Sequence, residues 1–97
     1  MTSIITKNRR LAILKFLAED EGGSLNTSVL QSALLYIGHG VSREKVQEDV
    51  LWLEKEGLAS VEFLEDLPVI LVRITPRGVD VARGLTVHPG VDRPLPR

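Results

Sequence analysis

The fold is decided by residues 41–58, which read VSREKVQEDVLWLEKEGL. Ser42 is a favourable N-cap residue, and Gly57 can adopt the left-handed conformation that ends a helix. Between these two residues, apolar side chains recur at the spacing of one helical face: Val46, Val50 and Leu53. The stretch therefore predicts a capped amphipathic helix that stops at Gly57 and leads directly into the next element.

Two further helices are predicted before this stretch. The first covers residues 7–19, and the glycines at 22 and 23 end it. The second is capped by Asn26, and its apolar residues share one face: Val29, Leu30, Ala33, Leu34 and Ile37. A Gly-His-Gly sequence at residues 38–40 then separates it from the third helix. The first half of the chain is therefore predicted to be helical.

After Gly57 the apolar pattern changes from helical spacing to alternation. Residues 59–63 and 69–74 predict two strands of a hairpin, with an acidic turn at 65–68. Thr75 and Pro76 then predict a short fourth helix, with Thr75 as its cap. Residues 85–97 contain three prolines and little periodicity, which favours an extended or disordered tail. The predicted organisation is one domain over residues 1–84, followed by this tail.

Composition restricts the possible functions. The 97 residues allow one hydrophobic core, and the absence of cysteine excludes disulfides, thiolate metal sites and cysteine nucleophiles. The two histidines lie far apart, in a glycine turn and in the tail, and no nucleophile–base pair or phosphate-binding loop is present. The sequence thus predicts a cytoplasmic protein that is not an enzyme and needs no cofactor or metal. Its net charge of −1 differs from the basic balance typical of a dedicated nucleic-acid binder.

The order of helix, helix, helix, hairpin and short helix resembles that of the winged helix-turn-helix superfamily, in the manner of small ArsR-like and MarR-like regulators. Two segments carry the likeness: Val41-Ser42-Arg43 through Gly57-Leu58, and Ile74-Thr75-Pro76-Arg77-Gly78 with Ala82. The resemblance covers about residues 7–84. It implies an α+β, mostly α fold with a two-stranded wing. The small size also resembles the winged-helix proteins of Mu-like prophages.

The resemblance implies that residues 42–56 form a recognition helix, which lies in the major groove of double-stranded DNA. With the apolar stripe facing the core, the opposite face carries Glu44, Glu48, Leu51 and Lys55. Arg43 and Gln47 are suited to reading guanine and adenine. The residues expected to bind nucleic acid are Arg43, Lys45, Gln47, Arg77, Lys7, Arg9 and Arg10. The symmetry usual in such regulators further implies a homodimer.

An alternative hypothesis is a winged-helix module that binds protein instead of DNA. Glu44 and Glu48 would repel phosphate from the third helix, and so would the acidic turn of the wing. Leu51 and Trp52 are apolar but lie off the buried stripe, and tryptophan is favoured at protein interfaces. In this hypothesis Leu51, Trp52 and the tail form the contact surface. The sequence leaves both functions open.

Overall fold

This computed structural model describes residues 2–95, which contain four helices and a three-stranded antiparallel sheet. The elements in chain order are α1 (Ile4–Glu19), β1 (Ser24–Asn26), α2 (Thr27–Tyr36), α3 (Arg43–Lys55), β2 (Ala59–Phe63), β3 (Ile70–Ile74) and α4 (Pro76–Ala82). The fold is therefore α+β, with about half of the chain helical, and it is compatible with a winged helix.

The predicted helix boundaries follow from capping residues. The side chains of Asn26, Ser42 and Thr75 each accept a hydrogen bond from a backbone N–H in the first turn of α2, α3 and α4. Gly57 ends α3 with a φ of 76°. The expected start of α1 at residue 7 was wrong, because Ser3 accepts a hydrogen bond from the Thr6 N–H at 3.1 Å and starts the helix at Ile4.

The sheet contains one strand that the sequence did not predict. β1 pairs with β3, so that the strand order is β1-β3-β2. β1 is only three residues long, too short to show the alternation by which a strand is recognised. The Ile74 N–H also donates to the Gly23 carbonyl at 2.9 Å. The connection between α1 and α2 is thereby fixed to the β2–β3 hairpin.

The core lies between the first three helices and the sheet. Its fully buried apolar residues are Ile13, Leu14, Leu17, Leu30, Leu34, Val46, Val50, Leu53, Leu58 and Val72. α4 packs directly on the start of β2, where a Cβ built on Gly78 would lie 2.1 Å from the Leu58 carbonyl oxygen. Only glycine allows this approach. Within residues 2–95, no helix is long and apolar enough to cross a membrane.

Residues 85–95 have no helix or strand, and we call them the C-terminal strap because they pack across α1 and α3. Val91 and His88 are buried, at 4% and 8% exposure. The Asp92 N–H donates to the Lys7 carbonyl at 3.1 Å, which fixes the strap to α1. Residues 96 and 97, which belong to the predicted extended or disordered tail, lie outside the described residues.

Candidate nucleic-acid interface

α3 presents two different faces. Its buried face carries the predicted apolar stripe, together with Asp49. The residues predicted for the opposite face are all exposed: Glu44, Glu48, Leu51 and Lys55. This part of the prediction is confirmed. The exposed face therefore combines two carboxylates, one ammonium group and one apolar side chain.

The residues predicted to read bases lie in the first turns of α3. Arg43 is exposed and Gln47 is half-buried. The Lys45 ammonium lies 3.6 Å from the Glu48 carboxylate, and both side chains are exposed to solvent. An exposed ion pair of this kind is weak, so it leaves Lys45 able to exchange its partner for another anion. The amino-terminal half of α3 thus offers two cations and an amide beside the acidic residues.

Arg77 lies at the other end of α3. It is exposed in the first turn of α4, and a Cβ built on Gly57 would lie 3.9 Å from its Nη1 atom. The Thr75 hydroxyl donates to the Gly57 carbonyl at 2.8 Å, which joins the start of α4 to the end of α3. Because α3 is about 20 Å long, Arg43 and Arg77 are not neighbours. They lie near opposite ends of α3.

Arg9 does not belong to this surface, which corrects the expectation that it contacts phosphate. Its side chain is buried, and its Nε donates to the Asp49 carboxylate at 2.5 Å. Nη2 lies 3.4 Å from the second carboxylate oxygen. The sequence did contain a signal for the burial of Arg9, because Arg9 continues the buried Ile13 and Leu17 stripe at steps of four residues. A buried arginine needs a buried carboxylate, and Asp49 supplies it.

Arg10 is also engaged inside the protein. Its guanidinium carbon lies 3.7 Å from the centre of the Trp52 ring, and Nη1 donates to the Gly90 carbonyl at 3.0 Å. Burial lowers the pKa of Arg10, while the nearby Asp49 charge opposes this shift. Lys7 is half-buried beside the strap. The basic residues of α1 therefore do not form the exposed patch that was predicted as a phosphate contact.

Trp52 and Leu51, the pair predicted as a protein interface, are separated by the fold. Trp52 is half-buried under the strap, and the His88 ring meets it edge to face with 5.3 Å between ring centres. Leu51 remains exposed on the outer face of α3. The roles of His88 and Gly90 were not predicted from the sequence. The strap has no periodicity, so nothing in the sequence indicated which helix it would contact.

The turn of the β2–β3 hairpin is acidic at its tip. Glu65 and Asp66 are both exposed, and Asp66 has a φ of 66°. A hairpin that enters the minor groove usually brings arginine or lysine, so this tip is not complementary to phosphate. In residues 2–95, no group of three or more histidine, aspartate or glutamate side chains is arranged to hold a metal ion.

Comparison with known proteins gives the chain a family. It is 42% identical over 97 residues to the uncharacterized protein gp26 of Escherichia phage Mu, a match that spans this whole chain and 98% of the relative. The chain belongs to the gp26 family. An uncharacterized protein of Haemophilus influenzae Rd is 38% identical over 63 residues, which span 65% of this chain and 61% of that relative.

The gp26 relationship supports the description of a small phage-related protein. No protein-family profile matches the chain, and no solved structure matches it.

Proposed function

We propose that this protein is a small phage-related DNA-binding protein of the winged-helix type, acting as a transcriptional regulator or accessory factor in the cytoplasm. The observation that carries the proposal is the capped helix α3, which ends at Gly57 beside a β-hairpin and exposes Arg43 at its first turn. In this proposal α3 lies in the major groove, where Arg43 and Gln47 read base edges.

The charges available on the exposed surface set the strength of this binding. Of the cations predicted to bind DNA, Arg43, Lys45 and Arg77 lie at the two ends of α3, whereas Arg9 is paired with Asp49 and Arg10 packs on Trp52. Each phosphate neutralised contributes about 0.9 to the slope of log affinity against log salt. With about three contacts per protomer, affinity should fall roughly 40-fold between about 50 and 200 mM salt.

The first test is the fluorescence anisotropy of a labelled mixed-sequence duplex, titrated with the protein at these two salt concentrations. A fall of about 40-fold per bound protomer would support groove binding through about three phosphates. Binding that is undetectable at about 50 mM salt would contradict the proposal, because non-specific affinity is greatest at low salt.

Two substitutions separate the proposed roles. Arg77→Ala should weaken binding to all sequences alike and reduce the salt slope by about 0.9, because Arg77 is assigned to a phosphate. Arg43→Ala should instead relax the preference at one base position. Lys15→Ala is the matched control, since Lys15 is exposed on α1 and is not assigned to DNA. An equal effect of all three substitutions would reduce the proposal to a general charge effect.

The proposal includes a homodimer, whose two α3 helices would enter successive major grooves about 34 Å apart. Its contact surface would use apolar side chains that are exposed at the start of α1 and the end of α2: Ile4, Ile5, Leu35, Tyr36 and Ile37. Light scattering of the purified protein measures the mass directly. Ile5→Glu should convert a dimer to a monomer, whereas a monomeric wild-type protein would remove the dimer from the proposal.

A protein-docking module remains the second candidate, favoured by one specific observation. Glu44 and Glu48 are both exposed on the face of α3 that would meet DNA, and the hairpin tip carries Glu65 and Asp66. These four carboxylates oppose phosphate and suit a basic protein surface. Absence of DNA binding at low salt would favour this second function.

A further inference from the structure

His88 of the strap contacts three groups: the Glu56 carboxylate, the Trp52 ring and the Gly90 N–H. His88 Nε2 lies 2.9 Å from the Glu56 carboxylate. The rings of His88 and Trp52 pack edge to face, with an angle of 79° between their planes. The Gly90 N–H donates to His88 Nδ1 at 2.9 Å, and the Gly90 carbonyl accepts from Arg10. The strap therefore covers Trp52 only while this arrangement of residues 88–90 persists.

The hydrogen bonds assign the protonation state of His88 in the closed strap. Nδ1 accepts from the Gly90 N–H, so it carries no proton. Nε2 then carries the ring proton and donates it to Glu56. A second proton would have to bind Nδ1, where it would point at the Gly90 N–H. A protonated Nδ1 therefore cannot accept the hydrogen bond from the Gly90 N–H.

Some charged groups around His88 favour a positively charged ring, and others oppose it. On α3, Glu56 stabilises a positive ring but is partly exposed, which screens it, while Asp49 is already paired with Arg9. On α1, the half-buried Arg10 guanidinium opposes a second positive charge. On the strap, Asp92 is bound by the Asn8 amide. None of these carboxylates is hydrogen-bonded to Nδ1, where protonation removes the bond from the Gly90 N–H.

We infer that the C-terminal strap is a proton-sensitive clasp: uptake of a proton by His88 breaks its bond to the Gly90 N–H, frees residues 88–90 and exposes Trp52, while Asp92 and the buried Val91 hold the rest of the strap in place. A Cβ built on Gly90 would lie 2.5 Å from the Trp52 ring, so the Gly90 backbone covers part of the ring, beside the Arg10 guanidinium and the His88 ring. Opening residues 88–90 uncovers an aromatic face between α1 and α3. This inference does not depend on DNA binding.

The test uses Trp52, the only tryptophan in the chain, as an intrinsic reporter. Acrylamide quenching of its fluorescence is measured in the full-length protein from about pH 7.5 to about pH 5, the interval in which histidine takes up a proton. The quenching constant should rise about twofold or more as the strap opens. An unchanged constant would overturn the inference.

Two matched variants identify the histidine that responds. His88→Asn keeps an amide oxygen that can accept from Gly90 but cannot titrate, so Trp52 should stay protected at both pH values. His39→Asn removes the other histidine of the chain, which lies in the α2–α3 connection, and should respond like the wild type. A pH response that survives in His88→Asn, or disappears in His39→Asn, would overturn the inference.

Two further readouts distinguish strap opening from other events. Helical circular dichroism should stay constant over the same pH range; its loss would mean that the whole domain unfolds, which contradicts a local clasp. Nitrogen-15 spectra of the histidine rings at neutral pH should show His88 as the Nε2–H tautomer. An Nδ1–H tautomer would contradict the hydrogen bond on which the inference rests.

Discussion

The two sides of α3 differ in the environment of their carboxylates. On the inner side, Asp49 is buried and paired with Arg9, and Glu56 is bound to His88 of the strap. On the outer side, Glu44 and Glu48 are exposed to solvent. The same helix therefore carries carboxylates with very different energetic roles, since burial makes the loss of a partner costly and exposure makes it nearly free.

This difference separates stability from function. Substitutions on the inner side should change the free energy of unfolding, because they leave a buried group without its partner. Substitutions on the outer side should leave the fold intact and change what the helix binds. The comparison can be tested with substitutions that run from the inner side to the outer side. Their effects on the free energy of unfolding should decrease in that order.

The largest effect is expected for Asp49→Ala, which leaves the Arg9 guanidinium buried without its carboxylate. Breaking a buried pair from one side typically costs about 3–5 kcal/mol of unfolding free energy. Urea denaturation followed by circular dichroism measures the loss. The double variant Arg9→Met/Asp49→Leu should recover most of it, because both charges are removed together. A loss below about 1 kcal/mol for Asp49→Ala would show that Arg9 can reach solvent.

An intermediate effect is expected for Gly90→Ala in the strap. The new Cβ would lie 2.5 and 2.6 Å from two atoms of the Trp52 ring, so either the strap or the ring must move. Overpacking of this kind costs about 1–3 kcal/mol. Thermal unfolding should report the loss, and the emission of Trp52 should shift to the red. Gly22→Ala is the control, because its Cβ would meet its nearest neighbour at an ordinary 3.4 Å.

The inner and outer sides also differ in how far the sequence could predict them. The caps at Asn26, Ser42 and Thr75 and the exposed face of α3 follow from local rules, because neighbours in sequence decide them. The pairing of Arg9 with Asp49 joins residues 40 positions apart. Its individual members could be placed on buried faces from their spacing, but their contact depends on how α1 crosses α3.

The strap was harder to predict from the sequence than the Arg9–Asp49 pair. Its three prolines and irregular sequence favour an extended or disordered tail, and composition alone gave no reason to expect buried residues there. In the structure His88 and Val91 are buried, because His88 contacts Glu56 and Trp52 and Val91 belongs to the hydrophobic core. Such contacts leave no periodic pattern in the sequence, so they can be identified only from the structure. The same holds for β1, whose three residues are defined by β3.

A smaller effect on stability is expected at the boundary between the two sides, where Ser42 starts α3. Its hydroxyl accepts from the Lys45 N–H at 3.1 Å, and Ser42→Ala should cost about 1 kcal/mol through the loss of this cap. Ser32→Ala, at an exposed position within α2, serves as the control and should change stability by less than about 0.5 kcal/mol. Chemical denaturation of both variants compares them directly, and equal values would mean that the cap contributes little.

The smallest effect on stability is expected for the outer pair Glu44→Gln/Glu48→Gln, within about 0.5 kcal/mol of the wild type. If α3 lies in the major groove, removing two carboxylates that face phosphate should raise affinity for mixed-sequence DNA about tenfold, equivalent to about 1.4 kcal/mol. Anisotropy at low salt measures this gain. Glu19→Gln/Glu21→Gln makes the same change in net charge at exposed positions outside α3 and the β2–β3 hairpin.

The two double variants together decide what the outer face does. A gain confined to the α3 pair would place DNA against this face, because a distant change of equal charge would have no effect there. An equal gain in both pairs would mean that only net charge matters, and the groove geometry would lose its support. If neither pair changes DNA binding, the outer carboxylates do not face phosphate. Their exposure would then be better explained by a basic protein partner, and the stable inner side of α3 would serve to present them.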